Sequence, residues 1–362
     1  MGHHPGRASN CRNRRALGQR LRLCGHLQLH PAQSAQRRLY LGAAGAVRPA
    51  PTPQWQTGAG GLSVQYGRRV QYCRGKSLYN YNSSAGLAAD SVSFQRPTVL
   101  QDETLACLDY FAAQETGDTG FLADADLDDF ANLEGSRLLI VIGHSEYWTR
   151  RARENFDRFV DAGGHALILS GNTMWWQVRY SSDMTRLIGY KDAGEDPVAD
   201  PLLRTTLWNH PDLDYPILPS IGADFELGGY GLRADDGGWD GMKIIAPDVP
   251  FLTGTGLSAG DIIALPSAEY DGTVIAGFDS SGYPLADRDA LGFESLQIIG
   301  YDLGLRVRPT VATWILFRKS ATSGWIINVS TSSWCSAAGL GGAQGPLLRQ
   351  ITSQMIAHLL SL

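Results

Sequence analysis

Acidic residues are missing from the first 89 positions of this 362-residue chain. Residues 1–75 also contain no lysine, although they hold twelve arginines, four of the eight histidines and three of the five cysteines. About a quarter of the residues in an average protein are charged, so an acid-free stretch of this length is atypical. The remainder, 76–362, has nineteen lysines and arginines against thirty-six acidic residues. We therefore divide the chain into an atypical arginine-rich segment, 1–75, and a folded part, 76–362.

Three interpretations of the arginine-rich segment remain open. Clustered arginines are typical of arms that neutralise nucleic-acid phosphates, and a charged segment of low hydrophobicity is typical of a disordered tail. Arginine without lysine, mixed with alanine, glycine, proline and histidine, instead indicates a GC-rich gene read out of frame, which is the interpretation we favour. The acidic remainder argues against a nucleic-acid partner.

Long apolar runs and cysteine pairs are also absent. No run reaches the roughly 20 residues that cross a bilayer, and the N-terminus lacks the apolar core of a secretory signal. We therefore expect a cytoplasmic protein with no membrane partner. The five cysteines form no C-x-x-C pair, which argues against a zinc ribbon or a disulfide framework and predicts free thiols.

The stretch 137–149 is the centre of the predicted fold. Residues 138–142 form an unbroken apolar run, which is typical of a strand covered on both faces of a parallel sheet. Thr149 can cap a helix that Gly163 and Gly164 end, and a second apolar strand follows at 166–169. This βαβ pattern predicts a doubly wound α/β fold. Because ligands bind beyond the carboxyl ends of strands in such sheets, residues 144–146 and the loop 170–176 should share one rim.

Other patterns complete the coarse prediction. Helices are expected at 102–113 and 347–359, and strands at 119–123, 261–265 and 273–278. A hairpin is expected from 311–318 and 325–329. Between about 181 and 260 the periodicity fades into a stretch rich in glycine, proline and aspartate, which predicts a long loop-rich insertion.

Polar residues follow the first predicted strand. His144 and Glu146 lie two positions apart, so both side chains can reach one point, and Asn172 stands at the neighbouring strand end. Glu146 could ligate a metal, and His144 could move a proton or orient a water molecule, although a structural role is open for both. A serine nucleophile is disfavoured because Tyr147 replaces the second glycine of G-x-S-x-G.

Aromatic residues are frequent near these motifs. Tyr79, Tyr81 and Tyr147 could act as phenolate ligands, which would favour a hard ion such as ferric iron, while core packing stays open for each. Four tryptophans are candidates for an aromatic wall, of which we expect half to be core and the rest to line a small apolar pocket: Trp148, Trp175, Trp176 and Trp334.

Four sequence motifs resemble those of a known protein family: Gly143-His-Ser-Glu-Tyr-Trp148, Asn155-Phe-Asp-Arg-Phe-Val160, Ser170-Gly-Asn-Thr-Met-Trp-Trp-Gln-Val-Arg179 and Asn328-Val-Ser-Thr-Ser-Ser-Trp334. They resemble the C-terminal region of the large (beta) subunit of N,N-dimethylformamidase and its relatives, over most of 76–362. The resemblance implies a fold like that of class I glutamine amidotransferases (flavodoxin-like), without their cysteine. It also implies a mononuclear ferric iron held by two tyrosines and one glutamate, and hydrolysis of an amide to formate and an amine.

The resemblance assigns some site residues and leaves others open. It makes Glu146 the glutamate ligand, His144 the adjacent polar residue and Asn172 the asparagine of the Ser-Gly-Asn motif. The tyrosine ligands do not transfer, because the family's Ala-Tyr-Asn motif is replaced here by Val-Gln-Tyr-Cys at 70–73. A shifted reading frame restores Ala-Tyr-Asn, whereas in the chain as written Tyr72 is the candidate substitute. The other tyrosine would lie about forty residues earlier.

The sequence thus predicts an iron-dependent amidohydrolase-like protein that acts on a small amide of the N,N-dimethylformamide type, with its activity in this chain left open. A small companion subunit and a homo-oligomer are the expected partners. The alternative is a non-catalytic α/β domain that binds a small molecule or a carbohydrate. Stoichiometric iron with a phenolate charge-transfer band would separate the two.

Overall fold

The computed structural model describes residues 38–43, 76–80, 83–93, 102–113 and 119–362. Its strands are β1 (Arg38–Ala43), β2 (Ser91–Ser93), β3 (Thr119–Leu122), β4 (Ser136–Gly143), β5 (Tyr147–Thr149), β6 (His165–Ser170), β7 (Trp176–Tyr180), β8 (Arg186–Ile188), β9 (Gly229–Gly231), β10 (Gly241–Ile244), β11 (Ile262–Ala264), β12 (Glu269–Gly272), β13 (Ile275–Phe278), β14 (Pro284–Ala286), β15 (Ser295–Leu305), β16 (Pro309–Arg318) and β17 (Trp325–Asn328). The helices are α1 (Asp102–Ala113), α2 (Arg150–Asp161), α3 (Leu218–Ile221), α4 (Phe225–Gly228), α5 (Arg288–Leu291) and α6 (Gly345–Ser361). Short 3-10 helices occupy Ser84–Gly86, Asp124–Asp128, Phe130–Asn132, Pro201–Leu203, Pro211–Leu213, Ala234–Asp236 and Pro250–Leu252.

One large mixed sheet organises the molecule. Its strand order is β11-β10-β15-β16-β17-β6-β4-β1-β3, and β9 pairs with both β15 and β12. The strands from β17 to β3 are parallel, whereas those from β11 to β17 are antiparallel. Two smaller sheets contain β13-β14 and β2-β8-β7-β5. The predicted mixed α/β class is confirmed.

Both faces of the parallel half are covered. Leu138, Ile140 and Ile142 of β4 belong to one core, which includes side chains from α1 and α6. The alternate residues Leu139 and Val141 belong to a second core, which includes apolar side chains of α2. Because successive side chains of a strand point to opposite faces, a strand between two cores has to be apolar throughout. This explains the unbroken run at 138–142.

The predicted βαβ unit is confirmed. Strands β4 and β6 pair in parallel, with Gly143 opposite Ser170. The hydroxyl of Thr149 accepts a hydrogen bond from the backbone N–H of Ala152 at 3.0 Å and donates to the carboxylate of Asp128. Thr149 is therefore the N-cap of α2, and it also ties the start of that helix to a neighbouring turn.

The remaining elements follow the prediction in part. The helix at 102–113, the closing helix and the hairpin of β16 and β17 are all present. The long strand β15 was missed, because Gly300 and the buried Asp302 interrupt its apolar pattern and the pairing is irregular between Ile298 and Gly300. Strand β1 lies inside the arginine-rich segment, and the boundary at residue 75 stays a prediction. In the part of the chain that is described, no helix has the length and apolar character needed to cross a membrane.

We predict that Thr149→Ala lowers the free energy of unfolding by about 1 kcal/mol, with a range of about 0.5–2, because the cap of α2 is lost. Urea denaturation followed by circular dichroism measures this change. Thr149→Ser keeps the hydroxyl and should retain most of the stability. An equal loss in both variants would contradict the capping role.

Candidate functional site

The loops that follow β4 and β6 are joined by hydrogen bonds. The backbone N–H of Ser145 donates to Oγ of Ser170 at 3.0 Å. The N–H of Met174 donates to the carbonyl of Ser145, and that of Trp176 donates to the carbonyl of Glu146, both at 2.8 Å. The parallel register brings the two loops to one edge, and these bonds fix their relative positions.

Gly171 allows other segments to approach the same edge. A Cβ at this position would lie 2.5 Å from the backbone nitrogen of Ser332 and 2.7 Å from the carbonyl oxygen of Glu269. Contacts this short exclude a side chain, so the glycine of the Ser-Gly-Asn motif is required by packing. Ser332 also donates its N–H to the carbonyl of Glu269 at 3.2 Å. Through this contact β12, from the antiparallel half, reaches the ends of the parallel strands.

Glu146 is buried against a phenol and an indole. Its side chain is 1% exposed. The hydroxyl of Tyr79 donates to Oε1 of Glu146, and Nε1 of Trp176 lies 2.9 Å from that oxygen and 3.1 Å from the Tyr79 hydroxyl. Oε2 of Glu146 is buried and has no hydrogen-bond partner among the residues described. Burial raises the pKa of Glu146, and burial together with the Glu146 charge raises the pKa of Tyr79.

His144 and Asn172 meet on a second carboxylate. Nε2 of His144 lies 2.5 Å from Oε2 of Glu269, and the amide Nδ2 of Asn172 donates to the same oxygen at 3.0 Å. Burial alone would raise the pKa of Glu269, but the neighbouring His144 and the hydrogen bonds from both residues outweigh it, so this pKa lies below its usual value. Glu269 is therefore held as a carboxylate beside the imidazole.

Lys191 places a cation next to Tyr79. Its ammonium nitrogen lies 3.0 Å from the hydroxyl of Tyr147 and 3.0 Å from the centroid of the Tyr79 ring. Burial lowers the pKa of Lys191 to about 7, although the charge of Glu146 acts in the opposite direction. When protonated, this cation offsets part of the negative charge of the Glu146 carboxylate.

Tyr79, Glu146, Asn172 and Glu269 border a cavity of about 320 Å³. The volume lies at the lower end of the range of small-molecule pockets. One part of the lining is polar and acidic, and the walls are largely aromatic. The lining residues are Tyr79, Glu146, Asn172, Trp175, Trp176, Leu207, Phe225, Tyr230, Glu269 and Arg306.

Of the predicted site residues, Glu146 and Asn172 line this cavity, and His144 contacts it through Glu269; their catalytic and metal-binding roles stay predictions. Tyr72 and Tyr81 lie outside the described residues. Of the other two tyrosines, Tyr79 contacts Glu146, and the hydroxyl of Tyr147 accepts from Lys191.

The four tryptophans of the predicted aromatic wall do not divide cleanly. Trp175 and Trp176 line the cavity, which is partly polar, and Trp175 also belongs to the hydrophobic core that contains Trp148; Trp334 lies in the other core. Sequence reasoning missed Glu269 and Arg306. Neither stands in a recognisable motif, and each is placed by the pairing of β9, β12 and β15, which local patterns do not reveal.

Within the described part of the chain, no three His, Cys, Asp or Glu side chains are grouped as a metal site. The donors that meet are instead a carboxylate and a phenol, Glu146 and Tyr79. Cys107 and Cys335 are buried free thiols, as expected for these two.

Comparisons with known proteins agree with the sequence resemblance. A family model described as N,N-dimethylformamidase beta subunit-like, C-terminal, matches residues 50–345 and so begins inside the arginine-rich segment. No curated protein is similar enough to match the chain.

Three solved structures are similar to the chain at low identity. A putative ThuA-like protein from Bacteroides uniformis is 8% identical, with 91% of this chain and 94% of that chain covered and a TM-score of 0.41. The mmIFT52 N-terminal domain is 11% identical, with coverage of 72% and 92% and a TM-score of 0.35. Cytoplasmic protein STM3548 from Salmonella typhimurium is 10% identical, with coverage of 70% and 85% and a TM-score of 0.33. All three TM-scores are below 0.5, so we base neither fold nor function on them.

A third acid, Asp271, lies beneath the Asn172 loop. Its Oδ2 accepts from the backbone N–H of Thr173 at 3.2 Å, and its buried Oδ1 has no hydrogen-bond partner within the described residues. Burial raises the pKa of Asp271 to about 7. In the unfolded chain the same carboxyl has a pKa of about 4. Between these values the folded protein holds a proton that the unfolded chain has released, so stability falls as the pH rises through this window.

We predict that Asp271→Asn removes this component of the pH dependence. The stability of the variant relative to the wild type should increase from pH 4 to pH 8, by up to about 4 kcal/mol. Urea denaturation at a series of pH values measures the difference. Parallel pH profiles for the two proteins would show that Asp271 does not hold the proton.

Proposed function

Since the chain belongs to the family of proteins similar to the C-terminal region of the N,N-dimethylformamidase beta subunit, we propose that it is an amidohydrolase that cleaves the C–N bond of an amide at the cavity beside Glu146 and Glu269. The observation that supports this most strongly is the meeting of His144, Asn172 and Glu269 next to the buried Glu146–Tyr79 pair. We further propose that the parallel half of the sheet is the doubly wound, glutamine amidotransferase-like unit. Its helices on both faces support this. We also propose a companion chain, because the family is defined by similarity to one subunit of an enzyme.

The residues present fit a mononuclear iron in part. Oε2 of Glu146 is a buried acceptor without a hydrogen-bond partner among the described residues, and the Tyr79 hydroxyl stands at the other oxygen of the same carboxylate. Burial disfavours ionisation of both groups, and the neighbouring Lys191 opposes this only in part, since the pKa of Glu146 stays raised; a hard cation would reverse the effect. Glu146 and Tyr79 are thus the described residues that would hold the ion, and Tyr72 is the candidate beyond them. When bound, iron would supply a Lewis acid that polarises the amide carbonyl.

The protein's own groups account for the proton transfers. Glu269 lines the cavity and is backed by His144, so this pair can take a proton from a water molecule as its oxygen bonds to the carbonyl carbon. The same proton then goes to the nitrogen as the C–N bond breaks, which releases a carboxylic acid and an amine. Asn172 donates to Glu269 and keeps a buried amide oxygen without a partner in the described part of the chain, so it can orient the pair and the water.

We predict that purified protein contains iron with a phenolate charge-transfer band, and that Glu146→Gln loses most of the metal. Tyr79→Phe should lose or shift the band, because the phenolate donor is removed. Elemental analysis and the visible spectrum measure these results. Tyr230→Phe, which keeps an aromatic ring in the same cavity wall, is the matched control and should retain both iron and colour.

A variant of this protein in which the reading frame is restored upstream of Lys76 tests whether the tyrosine of the Ala-Tyr-Asn motif is an iron ligand. Iron in the restored chain alone would contradict iron binding by the chain as written, and it would support that tyrosine over Tyr72. If neither chain binds iron, the metal assignment is wrong, and the non-catalytic binding domain is the better description of the cavity.

We predict that Glu269→Gln and His144→Asn each lower kcat for formamide hydrolysis by about 10²–10⁴-fold, because each removes half of the proton-transfer pair. The iron content should stay close to that of the wild type. Amine release, measured at saturating substrate, gives kcat. Glu154→Gln makes the same chemical change on an exposed position of α2 and should leave kcat unchanged. Wild-type kcat in both site variants would exclude the pair from the chemistry.

A further inference from the structure

Arg306 introduces a positive charge into the wall of the cavity. It lies in the turn between β15 and β16, where its guanidinium carbon is 4.6 Å from the ring centroid of Phe225 and 5.3 Å from that of Trp175. Its side chain is 25% exposed. Of the described residues that line the cavity, Arg306 alone has a basic side chain.

Among the described residues, only one hydrogen-bond acceptor contacts this guanidinium. Nη2 donates to Oε1 of Glu226 at 2.9 Å, which is the one hydrogen bond that the described residues offer to the side chain. Nε is buried and has no hydrogen-bond partner among them. Glu226 itself is 44% exposed, and an ion pair this close to solvent is weak. Arg306 thus packs against two aromatic rings and keeps N–H donors for which no described residue is the acceptor, so it can bind an anion.

The rest of the cavity indicates what kind of anion fits. The groups proposed to act on the amide, Glu146 and Glu269, belong to the same lining, together with the apolar surfaces of Trp175 and Phe225. A cavity of about 320 Å³ is also larger than N,N-dimethylformamide requires. A guanidinium matches a carboxylate in shape, because both are planar and can form two parallel hydrogen bonds.

We propose that Arg306 binds a carboxylate of the substrate, so that the natural substrate is an amide with an apolar body and a free carboxylate, as in an N-acyl amino acid. The position of the scissile amide rests on the proposed function. Arg306 is then a specificity-determining residue, because a neutral amide of the same shape leaves its donors without an acceptor. The carboxylate would distinguish the substrate from neutral amides, and the aromatic walls of the cavity would contact the apolar part of the substrate.

The test compares N-formyl-L-phenylalanine with its methyl ester, which differ at the carboxyl group alone. We expect the wild type to favour the acid by about 10- to 100-fold in kcat/KM, the range for a hydrogen bond to a charged group. Arg306→Gln should abolish this preference, which is measured as the ratio of kcat/KM for acid and ester within each variant, because the charge of Arg306 also lowers the pKa of Glu269 and its loss affects both substrates. Arg306→Lys keeps the charge but not the planar pair of donors, and should retain a small part of the preference. Glu226→Gln removes the surface ion pair and should keep the preference.

Direct binding separates this inference from the amidohydrolase proposal. Trp175 and Trp176 line the cavity, so the quenching of their fluorescence reports binding of either compound without turnover. Tighter binding of the acid that is lost in Arg306→Gln would support the role of Arg306 even in a protein that hydrolyses nothing. The inference is overturned if the wild type binds both compounds equally, if it binds neither, or if Arg306→Gln weakens both by the same factor. Hydrolysis without any preference for the acid would be consistent with the proposed amidohydrolase function. It would contradict the proposal that Arg306 selects the substrate.

Discussion

The parallel pairing of β4 and β6 places Gly143 opposite Ser170, and both site loops begin from that pair. Because the strands share a direction and a register, the residues that follow them leave the sheet at one edge. Backbone hydrogen bonds between the loops then fix Glu146 relative to Asn172. A slip of one residue would turn every side chain of a strand to the opposite face, and β4 contributes to a core on each face. The position of the site therefore depends on the register of these two strands.

Burial also sets the electrostatics of the site, because three acids lie in or beneath it and each is accommodated differently. Glu269 has a histidine and an amide as partners, and its pKa is lowered. Asp271 accepts a hydrogen bond from the backbone N–H of Thr173, and burial raises its pKa to about 7. Glu146 shares one oxygen with Tyr79 and Trp176, and its other oxygen has no partner among the described residues. A buried carboxylate is costly, and the pKa of Glu146 stays raised although the charges of His144 and Lys191 act to lower it.

The sequence predicted the parts of the site that local patterns encode. A continuous apolar run, a capping threonine and a pair of glycines are short-range signals, and they located the βαβ unit and the loops with His144 and Asn172. Glu269 and Arg306 carry no such signal. Glu269 lies 125 positions from His144, and the antiparallel strands that bring it there include β15, whose pattern is interrupted by Gly300 and a buried aspartate. Sequence analysis gave three tyrosines as candidate ligands without distinguishing among them. Tertiary packing places the hydroxyl of one of them, Tyr79, at Glu146.

The cavity is therefore assembled from two structurally different halves of the sheet. The parallel half supplies Glu146, His144 and Asn172 on loops that are tied to the buried strands. The antiparallel half supplies Glu269 at the start of a short strand and Arg306 in a hairpin turn at the surface. Arg306 lies outside the strands and packs against the cavity side of Trp175 and Phe225, so exchanging it alters the charge of the cavity wall, whereas exchanging Glu146 disturbs the centre of the site. Recognition of the substrate can thus differ in this architecture while the groups proposed to act on the amide stay in place.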